Sequence, residues 1–379
     1  MIYLDYVATT PLRDEVKETY IKLLNKYFAN ADSMYSLGYE VNNLMEKSRS
    51  LLGEYLHVNP NELYFTSGAS EANNMAIKGC AFAYQNRGKH IITTSIEHSS
   101  VHNSFKELRD VFGFEVDYIR VDTRGVLNLE ELESKIRDDT ILVSTMLVNN
   151  EVGIINPIKE IYDIIQRKNK LTKYHVDMVQ ALGKIPIDLS FVDMATFSAH
   201  KIYGLKGSGL LYKKNSTNIV PLINGGVQER NLRGGTSNAL TNIVLAKTVR
   251  LALNDLVRNY EYVSGLNQQL RKALKEMDDI VINTPETDVS PYILNFSTIG
   301  YKPEVIVHDL ESQGIYISTK SACSAKDSEV SRTLKNMHLD ERIGGSALRV
   351  SFSSLTTPQD IDAFINALKI SLNRVKKQR

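Results

Sequence analysis

A chain of 379 residues, 42% hydrophobic and 23% charged, can bury a large core and is long enough for about two domains of roughly 100–200 residues each. Its formal net charge of +1 gives no electrostatic reason to expect direct nucleic acid or membrane-surface binding. Its two cysteines, Cys80 and Cys323, argue against a disulfide framework and a structural zinc site, so no metal is expected and a reducing cytoplasm is. The N-terminus turns acidic at Asp5 without a basic or long apolar leader pattern, and no apolar run approaches the roughly 18 residues of a membrane span.

From about residue 60 the sequence alternates strand and helix patterns. Strands are expected at 63–65, 90–93, 115–119 and 141–148, the last a continuous apolar run of the kind buried on both faces. Helices are expected at 71–86, 101–112, 129–136 and 157–167, and short strands follow at 174–176, 194–197 and 209–212. Such alternation implies an α/β fold with a mostly parallel sheet covered on both sides. Beyond residue 250 the pattern changes. A long helix at 249–270, strands near 292–297, 315–318 and 347–352, and a closing helix at 358–374 read as a smaller C-terminal α+β domain.

Each polar cluster of interest falls just after one of these strands, where open α/β sheets bind their ligands. Lys201, in Ser198-Ala199-His200-Lys201, follows the strand at 194–197, and Asp177 with Gln180 follows the strand at 174–176. A lysine at one strand end beside a carboxylate at another suits pyridoxal phosphate. The amine forms a Schiff base with the cofactor aldehyde, and the carboxylate keeps the pyridine nitrogen protonated. Thr66-Ser67-Gly68-Ala69-Ser70-Glu71 joins a strand to a helix. Gly68 permits a tight turn, Ser70 can cap the helix, and the open N–H groups can hold a phosphate; an ordinary capped helix start has the same pattern.

His98 can stack on a ring and shuttle protons. In Asn149-Asn150-Glu151, asparagine either donates to cofactor or substrate or closes a turn. Arg349, in an alternating strand, either clamps a substrate carboxylate or faces solvent. Cys323, in the small-residue segment 321–327, is the candidate nucleophile. Cys80 instead lies among Ala76, Ile77, Ala81 and Ala83 and reads as core. The Gly-rich turn from Arg230 to Thr236 signals close approach to an anion or another chain.

In order along nearly the whole chain, these segments, with Tyr3-Leu4-Asp5 and Gln228-Glu229-Arg230, resemble the class V, fold type I pyridoxal phosphate enzymes. Among them they are similar to the cysteine desulfurases of the NifS/IscS type. The resemblance implies a large cofactor-binding domain at 14–250 and a small domain at 1–13 and 251–379 that carries the cysteine loop. It implies that Lys201 carries the cofactor, Asp177 pairs with the pyridine nitrogen, Gln180 contacts the phenolate oxygen, and His98 stacks on the ring. Ala69, Ser70, Ser198 and His200 belong to the cofactor and phosphate site, and Thr236 reaches it from the partner in a homodimer. Asn150 contacts cofactor and substrate, and with Arg349 it grips the carboxylate of L-cysteine. Cys323 takes the sulfur as a persulfide for a sulfur-acceptor protein, either a tRNA-thiolation enzyme or an Fe–S scaffold.

The chain departs from the family pattern at Tyr6-Val7, Tyr35, Leu205, Val227, Asn231 and Lys320. These departures bear on substrate access and acceptor choice, not on the cofactor residues. A selenocysteine lyase or a small-substrate aminotransferase would share the fold, but an aminotransferase would not need Cys323. A catalytically degenerate sulfur-trafficking scaffold would not need Lys201, Asp177 and His98 intact.

Overall fold

The computed structural model describes residues 1–319 and 330–377. A short strand, β1 (Ile2–Tyr3), is followed by helices α1 (Asp14–Lys26) and α2 (Ser36–Leu56), both additions to the elements expected from sequence. The alternating region then runs β2 (Leu63–Thr66), α3 (Ala69–Tyr84), β3 (His90–Thr94), α4 (Ser99–Asp110), β4 (Glu115–Ile119) and α5 (Leu129–Lys135). It continues with β5 (Thr140–Met146), α6 (Ile158–Asn169), β6 (Lys173–Asp177), β7 (Met194–Ser198) and β8 (Gly209–Lys213). These strands form one seven-stranded sheet in the order β2-β8-β7-β6-β5-β3-β4. Only β8 runs against its neighbours, so the sheet is mostly parallel, as expected. The C-terminal ends of β2, β3, β5, β6 and β7 consequently share one edge.

Alternation along the strands divides the core. Ile91, Leu142 and Leu211 pack with Ala76 and Cys80 of α3 and Phe105 of α4 on one face. Their neighbours Ile92, Val143 and Leu210 pack on the other, with Ile161 and Ile165 of α6. Cys80 is fully buried, and burial pushes its thiol pKa far up, so it is a core group as expected. On edge strand β2 two free backbone groups are satisfied by side chains. Arg49 and Arg230 donate to the Leu63 carbonyl, and Glu229 accepts from the Phe65 N–H.

The remaining strands, β9 (Ile280–Ile282), β10 (Ile293–Thr298), β11 (Ile315–Tyr316) and β12 (Ala347–Ser351), form an antiparallel sheet β12-β10-β9 and a parallel β1-β11 pair. An Asp5–Ser351 bridge stitches the N-terminal segment to this region. The closing helix Pro358–Arg374 begins with a Thr357–Asp360 capping box.

The long helix expected at 249–270 is two helices, Ala239–Asn254 and Leu256–Lys275, which meet at Asp255. The Asp255 carboxylate pairs with Arg13 and Arg258. No glycine or proline marks the break, so the apolar pattern runs straight through it. Among the described residues no helix is long and apolar enough to cross a membrane, and no His, Cys, Asp and Glu cluster could hold a metal.

Candidate active site

A cavity of about 640 Å³ opens along the shared strand edge. Ten of the residues singled out from sequence line it: Ala69, Ser70, His98, Asn150, Asp177, Gln180, Ser198, His200, Lys201 and Arg349. Thr236 does not. It lines a neighbouring cavity of about 160 Å³, and Ser67 and Gly207 line both. Cys323 lies outside the described residues.

The turn from β2 into α3 is shaped by Gly68 (φ +151°), a conformation that side chains rarely adopt. A Cβ on Gly209 would stand 2.5 Å from the Gly68 Cα, so β8 also needs glycine there. Ser70 is not the helix cap. Gly68 occupies that position without a side-chain cap, and Ser70 sits inside the first turn, its carbonyl accepting from Asn74. The positive end of a 16-residue helix is thereby left facing the cavity. Glu71 accepts from Ser67 N–H and Oγ on one oxygen and from Arg233 on both, tying this turn to the one that carries Thr236.

Asp177, at the end of β6, is 6% exposed. Its Oδ1 accepts from Val179 N at 3.0 Å and its Oδ2 from Asn73 Nδ2 at 2.9 Å. Among the described residues no Lys, Arg or His side chain forms an ion pair with it. Asn73, fully buried on the inner face of α3, also donates to Ser100 Oγ and accepts from Thr196 Oγ1. Sequence reading passed over it; the available signal was an amide at helical spacing among Ala72, Ala76 and Cys80, which needs partners when buried. Ser100 Oγ lies 2.8 Å from His98 Nδ1, which also accepts the Ser100 N–H. A backbone N–H can only donate, so the proton of a neutral His98 sits on Nε2.

Lys201 lies in a single turn after β7, and Tyr203 just beyond has a left-handed φ of +64°. Its Nζ donates to the carbonyls of Val7 (2.7 Å) and Ala8 (2.8 Å). Burial pulls His200 down to about 4, with Lys201, Lys206 and Lys184 adding to the effect, so this histidine is neutral near pH 7.

Of the asparagine pair, Asn149 closes the turn, its Oδ1 accepting from Glu151 and Val152. Asn150 alone lines the cavity. Arg349 is not a surface arginine. It is 1% exposed, donates Nη1 to the Asn150 carbonyl, and pairs Nη2 with Asp5 at 2.7 Å. Asp5 was read only as part of an N-terminal motif, because its partner lies 344 residues away.

Glu97, beside His98, is a further buried carboxyl. It accepts from Thr94 Oγ1 and Met146 N, and burial pushes it up to about 8.

Comparison with known proteins agrees with this geometry. The family described as Aminotransferase class-V matches residues 2–364. A "NifS/IcsS protein homolog" of Lactobacillus delbrueckii subsp. bulgaricus is 43% identical over 371 residues, 97% of this chain and 96% of that protein. A "Cysteine desulfurase IscS" of Dictyoglomus turgidum is 36% identical over 378 residues, covering 99% and 95%. The solved structure of a "NIFS-LIKE PROTEIN" superposes with a TM-score of 0.93 at 37% identity, covering 99% of this chain and all of that one. A parallel sheet with a lysine and a buried carboxylate on its strand-end edge, matched end to end by these proteins, places this chain in the class V aminotransferase family.

Proposed function

We propose that this protein is a pyridoxal phosphate-dependent cysteine desulfurase that converts L-cysteine to L-alanine and keeps the sulfur on Cys323. The observation that carries this reading is the convergence of Lys201, Asp177 and the uncapped α3 N-terminus on one cavity. The site fits the cofactor on its own chemistry. A buried carboxylate with two N–H donors but no cationic side chain among the described residues suits a pyridinium N–H, and an open helix N-terminus suits a phosphate. When bound, the cofactor supplies the electron sink that makes the substrate α-proton removable.

In this assignment Lys201 would bind the cofactor aldehyde, Asp177 would pair with the pyridine nitrogen, Gln180 would contact the phenolate oxygen and His98 would stack on the ring. Ser70, Ser198 and His200 would hold the phosphate, with Ala69 beside them in the cofactor site. Asn150 and Arg349 orient the substrate carboxylate; the Asp5 carboxylate and the Asn150 carbonyl fix the Arg349 fork by taking one terminal nitrogen each. Lys201 moves the proton at the substrate α-carbon, and His98, with its proton on Nε2, is placed for a second transfer. The Cys323 thiolate takes the sulfur. In sum, L-cysteine and a thiol give L-alanine and a persulfide, with the carbon–sulfur bond broken, a sulfur–sulfur bond formed and no outside oxidant.

The working unit in this reading is a homodimer in which Thr236 completes the partner's phosphate site. Support comes from exposed apolar groups near that turn. Met34, Tyr35 and Val227 are 87%, 57% and 73% exposed, and a Gln228–Asp32 hydrogen bond holds their two loops together. The enzyme acts in the cytoplasm, where it passes sulfur to an acceptor protein, a tRNA-thiolation enzyme or an Fe–S scaffold. The large domain spans 14–250, and the small one spans 1–13 and 251–379.

Absorption spectroscopy and single-turnover alanine release test the assignment. Purified protein should be yellow, and borohydride should fix the cofactor to the peptide containing Lys201. Cys323→Ala should bind cofactor and cysteine yet stall before alanine leaves. A protein that takes up no pyridoxal phosphate, or a Cys323→Ala protein with normal turnover, would refute it.

A further inference from the structure

Lys184, absent from the residues singled out by sequence, is 8% exposed and stands four residues after Gln180 in the turn that follows β6. Its Nζ donates to Gln180 Oε1 at 2.6 Å. The other half of that amide, Nε2, donates to the Val7 carbonyl at 3.3 Å, and the same carbonyl accepts from Lys201 Nζ at 2.7 Å. Lys184 is thus joined to Lys201 through one amide and one carbonyl.

We propose that Lys184 is a positioning residue. By occupying Gln180 Oε1 it fixes the amide with its N–H side toward the cavity and the cofactor's phenolate oxygen. The reason is the asymmetry of the amide. A lysine amine offers donors to an oxygen, and flipping Gln180 would set an NH₂ group against it while turning a carbonyl toward an anion. Two cations, Lys201 and Arg349, act on Lys184, and the Tyr292 ring lies 5.9 Å from its nitrogen. Burial is the larger cause and these cations the smaller in pulling Lys184 down to about 7, so it sits close to its own titration near neutral pH. No carboxylate neutralises it among the described residues. A costly buried amine held on a glutamine oxygen implies a role in aiming that glutamine.

The inference rests on the cofactor reading above, and the experiment separates the two. Pyridoxal phosphate affinity, and the pH titration of the bound cofactor's visible band, are measured for wild type, Lys184→Met, Gln180→Ala and the double variant. Lys184→Met should bind cofactor about tenfold more weakly, the size of one hydrogen bond to a charged group. Its band should titrate about one pH unit higher, because a donor to the phenolate and a neighbouring cation are both lost. In the Gln180→Ala background the same change should cost little more, since its route is gone.

Unchanged affinity and titration in Lys184→Met, or an equal loss in both backgrounds, would overturn the proposal while leaving the cofactor reading intact. Wild-type protein without cofactor affinity would defeat the cofactor reading itself. Should Lys184→Met not fold, Lys184→Leu is read in the same way. Failure of both to fold would make the residue structural and overturn its positioning role.

Discussion

The strand-end site and the turn from Glu229 to Thr236 solve the same problem, placing polar groups beside a cavity, by opposite means. Asp177, Ser198 and Lys201 sit at or just past the ends of parallel strands whose ladders fix them without strain. The turn instead puts three consecutive non-glycine residues, Glu229, Arg230 and Asn231, in the left-handed region at φ +45°, +54° and +65°. Each such residue costs on the order of 1–2 kcal/mol. A buried Arg49–Glu229 pair, bonded through both oxygens, compensates, and the Phe65 N–H adds a third bond to Glu229. Regular structure can carry chemistry directly, whereas an irregular turn needs a dedicated buried anchor.

The sharpest break of this comparison uses one substitution in each region. Lys201→Ala should lose turnover by at least about 10²–10⁴-fold, the worth of a positioned acid–base group, and lose the cofactor linkage as well. Its melting temperature as apoprotein should stay near wild type. Arg49→Ala should do the reverse, costing about 3–5 kcal/mol by stranding a buried Glu229 charge, read as a lower denaturant midpoint. If Lys201→Ala unfolded the chain and Arg49→Ala left its stability untouched, the division of labour drawn above would be wrong.

A third test sits between the two regions. Glu97, on the site side, has its native pKa raised to about 8. The folded protein therefore holds a proton that the unfolded chain releases above about 4.5. Its stabilising share is complete below that pH and is lost as pH rises through about 8, amounting to a few kcal/mol. Glu97→Gln, which keeps an oxygen for Thr94 and Met146, should flatten the fall in urea midpoint between pH 5 and pH 8. An unchanged slope would mean that Glu97 is ionised in the native state.

The smallest expected effect is that of Cys80→Ala. It should cost about 1 kcal/mol for a small buried volume and leave turnover as in wild type, by thermal melt and alanine release. A large loss of turnover would transfer the sulfur chemistry to a thiol buried in the core.

The sequence by itself determined the parallel sheet, its strand order in the chain and the strand-end placement of Lys201, Asp177 and His98. Hydrophobic periodicity and polar residues just past strands are local signals, readable without knowing what packs where. Boundaries were legible where capping chemistry was present, as at Pro358, and not where an apolar pattern crossed a break, as at Asp255. Tertiary structure alone decided the rest. Asn73 meets Asp177 across 104 residues, Arg349 meets Asp5 across 344, and Arg49 meets Glu229 across 180. It also separated Asn149 from Asn150, one closing a turn and the other lining the cavity. A buried polar group takes its meaning from its partner, and partners so far apart in the chain are brought together only when the whole core is packed.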